Sequence, residues 1–337
     1  MHHILCGMGK KHSKPKKQKN CADNNQDLNE SLCQRIHKNP IFCIDIYGNN
    51  LFSGNSIGEL HNFSLTNKQL QAKLAIHERD ITKIVANKDA STVFTASRDK
   101  LIKQTDLITK TIINTFDGHD LVVTGLSGNA NKTKLSSGSR DCCMKLWDVE
   151  TEKNLSTCHI NRNIVTDMKW ADNQDIIVQC SEDKIMKLWD AKNLKNTSTF
   201  PLKQYFQTCC DFDGEKFQVL TGSTGGNGNG CEVILWDIRE IKPIQGIKGH
   251  TDRITDCKFF KNNHDRPSAI SVSNDCSVKI WDLVSYKCIH TTFITGAKGL
   301  TSVAVENNTV CVGTHEDGIH VYNFDADQQK LQHAYCM

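Results

Sequence analysis

One string comes back along this chain, and it constrains the fold more than any other feature. Gly118-His119 is followed by Thr124, then by Ser137-Gly138-Ser139-Arg140-Asp141, and the string ends on Leu146-Trp147-Asp148. Gly249-His250, Thr255, Ser271-Val272-Ser273-Asn274-Asp275 and Ile280-Trp281-Asp282 repeat the order. In both copies the step from His to Thr is five residues and the step from Asp to Trp is six. A chain built of such units buries the apolar face of each against its neighbours, so the repeat sets the architecture before any local motif is read.

Aligned on this string, the chain divides into seven units. Their anchors are Phe63, Thr105, Trp147, Trp189, Trp236, Trp281 and Tyr322, spaced 42, 42, 42, 47, 45 and 41 residues apart. Between the anchors run short β-type segments such as Val93-Phe94-Thr95-Ala96 and Val233-Ile234-Leu235-Trp236, bounded by Asn, Asp, Gly and Ser. No helical periodicity persists beyond three turns. The period of about 40–45 residues, with Gly-His and Trp-Asp, resembles the WD-repeat β-propeller family over roughly residues 39–335. The expected fold is all-β, a seven-bladed WD-repeat β-propeller over 39–337 preceded by a disordered basic tail over 1–38. Either 31–37 or 330–335 would supply the outermost strand that closes the ring.

The resemblance implies a buried tetrad in each complete unit: His119, Ser137, Asp141 and Trp147, and again His250, Ser271, Asp275 and Trp281. An imidazole links a carboxylate to a hydroxyl, and the hydroxyl accepts from a donor-only indole. Partial sets are His77, Thr95 and Asp99; Asp183 and Trp189, with Asn161 and Gln179 replacing His and Ser; and Thr221 and Trp236. Ser, His and Asp together also invite a hydrolase reading. Each set is shared with a Trp and recurs by repeat, and no Gly-x-Ser-x-Gly elbow is present, so the tetrads read as structural. The glycine-rich 225–230 lacks the Gly-Lys-Ser/Thr ending of a phosphate cradle and reads as an expanded hairpin. No catalytic residue, metal site or cofactor is expected.

Charge is unevenly placed. The net formal charge is +3, but residues 1–38 carry +5 and the remainder −2. A body without basic excess argues against nucleic acid as its main partner. The sixteen cysteines are scattered without metal-ligand spacing and fit a reducing, intracellular setting.

Function is then expected in positions the repeat leaves free. In the resembling family, binding commonly uses the face that carries the turns before the tetrad Asp and before each first strand. Here those positions hold Asp80, Arg98, Arg140, Arg162, Glu182, Arg253 and Asn274, with Val122 and Ile164 beside them. Arginine is enriched at interface hot spots, so other proteins are the expected partners, although a merely solvated rim is the plain alternative. Trp236-Asp237-Ile238-Arg239 matches the Trp-Asp-x-Arg ending of propellers that act as substrate receptors of cullin-type ubiquitin ligases, a competing expectation. In the tail, Met8-Gly9-Lys10-Lys11-His12-Ser13 fits N-myristoylation of Gly9 if translation starts at Met8 rather than Met1. One acyl chain plus the lysines from Lys10 to Lys19 would hold an anionic membrane surface; the alternative is a solubilising tail. A narrower resemblance within the family implies a non-enzymatic scaffold in cilium assembly and ciliary trafficking, placed in the cytoplasm, at a membrane, or at the cilium or its base.

Overall fold

The computed structural model describes residues 37–88, 91–160, 163–171, 174–261, 266–316 and 318–337. Those residues form 28 strands and no helix. The strands make seven antiparallel sheets of four, each in plain sequence order. The sheets, or blades, span 41–75, 81–116, 123–159, 165–199, 207–248, 254–293 and 300–336. The first strand of each blade lies innermost: Ile41–Tyr47, Ile81–Ala86, Val123–Gly128, Val165–Trp170, Gln207–Asp213, Ile254–Lys261 and Leu300–Glu306. Each packs against the first strand of the next blade, and the seventh packs against the first, so the ring closes. The chain folds as a seven-bladed β-propeller.

Burial follows radial position. Second strands are almost wholly buried, whereas outer strands such as Asn154–His159 and Asn196–Thr199 are largely exposed and polar. A polar outer strand protects a sheet edge that would otherwise invite pairing with another chain. The apolar side chains form seven clusters, each shared by two adjacent blades. In one, Leu235 and Val233 of blade 5 meet Trp281, Ala269 and Ile254 of blade 6. In another, Ile41 and Phe63 of blade 1 meet Cys311 and Val321 of blade 7. All seven repeat anchors lie on third strands and are buried, and all but Thr105 belong to these clusters.

The His-to-Thr step has a structural reason. The second residue of an inner strand is Thr in blades 2 to 7, and in blades 2 to 6 its hydroxyl donates to the first carbonyl of the next blade's inner strand. Thr166 donates to the Gln207 carbonyl at 2.6 Å, Thr208 to Ile254 at 2.6 Å and Thr255 to Leu300 at 2.8 Å. Thr82 and Thr124 do the same toward Val123 and Val165. The belt breaks where the ring closes: the buried Thr301 hydroxyl finds no partner, and blade 1 has Phe42 at this position.

Blade 7 takes its outer strand from the chain's own end, Lys330–Cys336. Ile319 and Met337 exchange backbone hydrogen bonds at 2.9 Å, and the Tyr335 hydroxyl donates to the Leu65 carbonyl of blade 1 at 3.3 Å. Of 31–37, only His37 lies within the described residues, and it is buried under blade 1 instead of serving as an outer strand.

Candidate interaction surfaces

The tetrads hold the turns that make up one face of the ring. His119 Nδ1 donates to Asp141 Oδ2 at 2.8 Å, and its Nε2 accepts from the Ser137 hydroxyl at 2.7 Å. The Trp147 indole donates to the same hydroxyl oxygen at 2.8 Å. In blade 6 the corresponding distances are 3.0, 2.7 and 2.8 Å for His250, Ser271, Asp275 and Trp281. Ser137 and Ser271 are fully buried, with their oxygens committed to these bonds, so they tie loops in place. The carboxylates reach further. Asp141 accepts the backbone amides of Asp120 and Cys143, joining the loop that enters the blade to the turn after its second strand. Partial burial works against the ionised Asp141, but its hydrogen bond and attraction to His119 prevail and hold it down to about 2. Burial opposes ionisation of Asp99 and Asp275 too, and their histidines likewise hold both below the usual carboxylate range.

The incomplete sets are completed differently. In blade 2, His77 bridges Asp99 at 2.7 Å and Thr95 at 2.9 Å, but Thr105 supplies no indole and its own hydroxyl is buried without a partner. In blade 4 the residue that bonds Asp183 is Asn163, at 2.6 Å, and not Asn161, which lies outside the described residues. Trp189 donates to Gln179 at 3.0 Å in the same blade. In blade 5, Thr221 accepts from Trp236 at 2.9 Å and donates to Gln207 at 2.7 Å, while the Lys203 ammonium lies 5.0 Å from the indole ring. Blade 1 carries a histidine that the sequence analysis missed. His37 lies four residues before its inner strand, as His77, His119 and His250 do, and contacts Ser53 at 3.4 Å and His61 at 3.0 Å. The spacing alone was the signal, since no glycine precedes it and no Asp follows Ser53 at the usual distance.

Above the tetrads, one pairing recurs in every blade. The residue after the second strand donates its backbone amide to the carbonyl of the residue just before the first strand. Arg98 pairs with Asp80 at 2.9 Å, Arg140 with Val122 at 3.0 Å, Glu182 with Ile164 at 3.1 Å, and Asn274 with Arg253 at 3.0 Å. Ser56 with Pro40, Thr224 with Phe206, and His315 with Gly299 complete the ring. The structure thus places Asp80, Arg98, Arg140, Glu182, Arg253 and Asn274 on one rim; Arg162 lies outside the described residues. Their side chains differ in freedom. Arg98 is tied to Asp80 at 3.2 Å, Arg140 and Arg253 are exposed, and Glu182 and Asn274 are half-buried. Ile57, Leu121 and Phe206 are also exposed beside these positions, an apolar component that the charge pattern did not reveal. The glycine-rich 225–230 leans from blade 5 toward blade 6, where the Gly228 amide donates to the Thr251 carbonyl at 3.0 Å.

Charged side chains line the inner strands, a second feature missed from the sequence. Lys83 of blade 2 meets Asp167 of blade 4 at 2.8 Å, and the intervening blade has Gly125 at the equivalent position. Lys169 meets Asp211 at 3.0 Å, and Lys258 lies 3.6 Å from Asp256. The acidic members also accept an amide from the following blade: Asp45 from Ala86 at 2.8 Å, Asp167 from Cys210 at 3.1 Å, Asp211 from Phe259 at 2.9 Å, and Asp256 from Val303 at 3.0 Å. Burial pushes the Asp45 carboxyl up, and its amide bonds offset that only in part. These residues tie blade to blade, and each of the three lysines is matched to a carboxylate.

On the opposite face, the Asp of each Trp-Asp pair caps the turn into the outer strand. Asp237 accepts the Arg239 amide at 2.8 Å and binds its guanidinium through Nε at 3.1 Å and Nη2 at 2.7 Å. That bidentate contact ties the exposed Arg239 side chain to the buried Asp237 of the Trp-Asp-Ile-Arg string.

Comparison with known proteins agrees with this architecture. The family model for WD domain, G-beta repeat, matches residues 110–148, 152–190 and 241–282, so these three stretches are similar to that repeat. Each match begins near an outer strand and ends on the third strand of the next blade, so the repeat unit straddles two sheets. The chain is 33% identical over 73 residues to eukaryotic translation initiation factor 3 subunit I of Anopheles gambiae, covering 22% of this chain and 20% of that protein. It is 39% identical over 51 residues to cell division control protein 4 of Saccharomyces cerevisiae, covering 15% and 6%. The match thus spans a fifth or less of either relative's length.

Proposed function

We propose that this protein is a non-enzymatic interaction scaffold that binds other proteins through the rim of paired turns. One observation carries the reading: buried tetrads fix a rim on which Arg140, Arg253 and neighbouring apolar side chains are exposed. A rigid rim with arginine and apolar groups offers the anchor chemistry of an interface at small ordering cost. Proximity labelling tests it. Arg140→Glu with Arg253→Glu loses a defined set of neighbours while the melting profile stays unchanged; an unaltered neighbour set contradicts the reading.

The narrower proposal concerns setting. The tail with Met8-Gly9-Lys10-Lys11-His12-Ser13, followed by seven divergent repeats with Ala96-Ser97-Arg98-Asp99 and Ser181-Glu182-Asp183-Lys184, resembles WD repeat-containing protein 31 of animals. On that resemblance the scaffold serves cilium assembly and trafficking, with 1–38 as a separate tether on an anionic membrane through Gly9 and the following lysines. Intact-mass analysis of the native protein distinguishes an acylated Gly9 from an unmodified Met1. A second reading, substrate receptor of a cullin-type ubiquitin ligase, is favoured by the exposed Arg239 side chain held on Asp237. Arg239→Ala abolishes ligase recovery on that reading and leaves it unchanged on the first.

A further inference from the structure

One inner strand ends differently from the other six. The seventh residue counted from the start of each inner strand leads into a turn on the face opposite the rim, and in six blades it has one of two roles. Tyr47, Ala171 and Phe260 pack with the apolar clusters between their own blade and the next. Asn87, Asn129 and Asp213 cap their own turns, a side-chain oxygen accepting the Lys88 amide at 2.8 Å, the Lys134 amide at 3.1 Å and the Glu215 amide at 3.0 Å. Blade 7 has Glu306, which does neither. Its Oε2 is buried and finds no hydrogen-bond partner among the described residues, and Glu306 forms no ion pair among them. A carboxylate oxygen taken out of water without a partner is costly, so Glu306 does not serve the free chain.

Glu306 lines a cavity of about 290 Å³ at the seam between blades 7 and 1. Ile46 and Leu65 of blade 1 give the cavity an apolar wall, and Asn49 and Asn307 line it with amides. No lysine, arginine or histidine lines it, so this chain sets no cation there against Glu306. No second carboxylate lines it either, and a hard divalent ion gathers more anionic oxygen than one side chain supplies. What suits a single carboxylate beside an apolar wall is a monocation on a methylene stem, the chemistry of a lysine or arginine side chain.

We propose that this cavity is a socket for a lysine or arginine side chain of a partner protein. The methylenes pack on Ile46 and Leu65, the charged head donates to Glu306, and the amide oxygens of Asn49 and Asn307 accept its remaining donors. The socket opens on the face opposite the rim and does not depend on binding there. Stability and binding then pull in opposite directions at Glu306, because its carboxylate burdens the free chain and is satisfied only in the complex.

The test is selection of a displayed random-peptide library on the intact protein after depletion on its Glu306→Gln variant. The expected peptides share one Lys or Arg. Replacing that residue by norleucine or citrulline, which keep the length and drop the charge, weakens binding to the wild-type protein about tenfold or more, and the difference disappears on the variant. The variant's melting temperature is equal or higher. The proposal is overturned if the selection yields no peptide that needs a basic residue, or if the variant melts lower, which would give Glu306 a role in the fold. It is also overturned if n-butylamine or calcium chloride alone binds through Glu306 as tightly as the peptides, which would assign the cavity to a free amine or a metal ion. Loss of self-association of the wild-type chain in Glu306→Gln overturns it as well, by assigning the cavity to a second copy.

Discussion

At the scale of single residues, the tetrad hydroxyl has the most to lose. Ser137 Oγ is shared by His119 and Trp147, and both are buried. Ser137→Ala leaves an imidazole nitrogen and an indole N–H unsatisfied, which costs about 1–3 kcal/mol for each group. Chemical denaturation should therefore show a loss of a few kcal/mol, and Ser137→Thr should restore part of it, since Thr95 holds the same place in blade 2. Asp141 makes a pH prediction. Its folded pKa, near 2, lies below the unfolded value, so its stabilisation is complete above about pH 4 and is lost as pH falls toward 2. Asp141→Asn should remove that part of the acid transition and leave the neutral-to-alkaline limb unchanged in shape. These residues were legible in the sequence because each repeat writes them at the same steps. His37 and Asn163 were not, because blade 1 has lost the glycine and the carboxylate around its histidine, and blade 4 moves the bonding residue by two positions.

At the scale of strands and turns, the inner strands carry a layer that the repeat does not announce. Lys83, Asp167, Lys169, Asp211 and Lys258 read as ordinary polar positions of half-buried strands, and only the closed ring brings Lys83 across to Asp167. Removing one partner of such a buried pair is costlier than removing both, because a lone charge stays desolvated. Lys83→Met alone should destabilise more than Lys83→Met combined with Asp167→Leu, apart from the Cys210 amide that Asp167 also satisfies. A double-mutant cycle measured by denaturation reads this, and additive effects would mean the pair is not coupled. The threonine belt is visible in the sequence as the constant step from His to Thr, yet its acceptor, a carbonyl of the next blade, can be known only from the fold.

At the scale of the whole molecule, seven clusters between adjacent blades make stability a property of the closed ring, as in other repeat proteins. The seam between blades 7 and 1 is the exception in detail, with Thr301 unpaired and the outer strand supplied by the chain's end. Deleting 330–337 removes Leu331 and Met337 and uncovers the core they pack on, so thermal unfolding should become broader and start lower than that of the full chain. The seven-part fold was legible because its anchors recur at nearly constant spacing. The division of the rim into tied, free and apolar positions was not, because it depends on which side chains neighbouring turns occupy. The most direct measurement of the scaffold reading is amide hydrogen exchange on the protein held in its native assembly and on the protein alone. The account predicts added protection at the rim turns around residues 119–123, 139–143, 251–254 and 273–277. Unchanged exchange at all four, with the assembly intact, would contradict it.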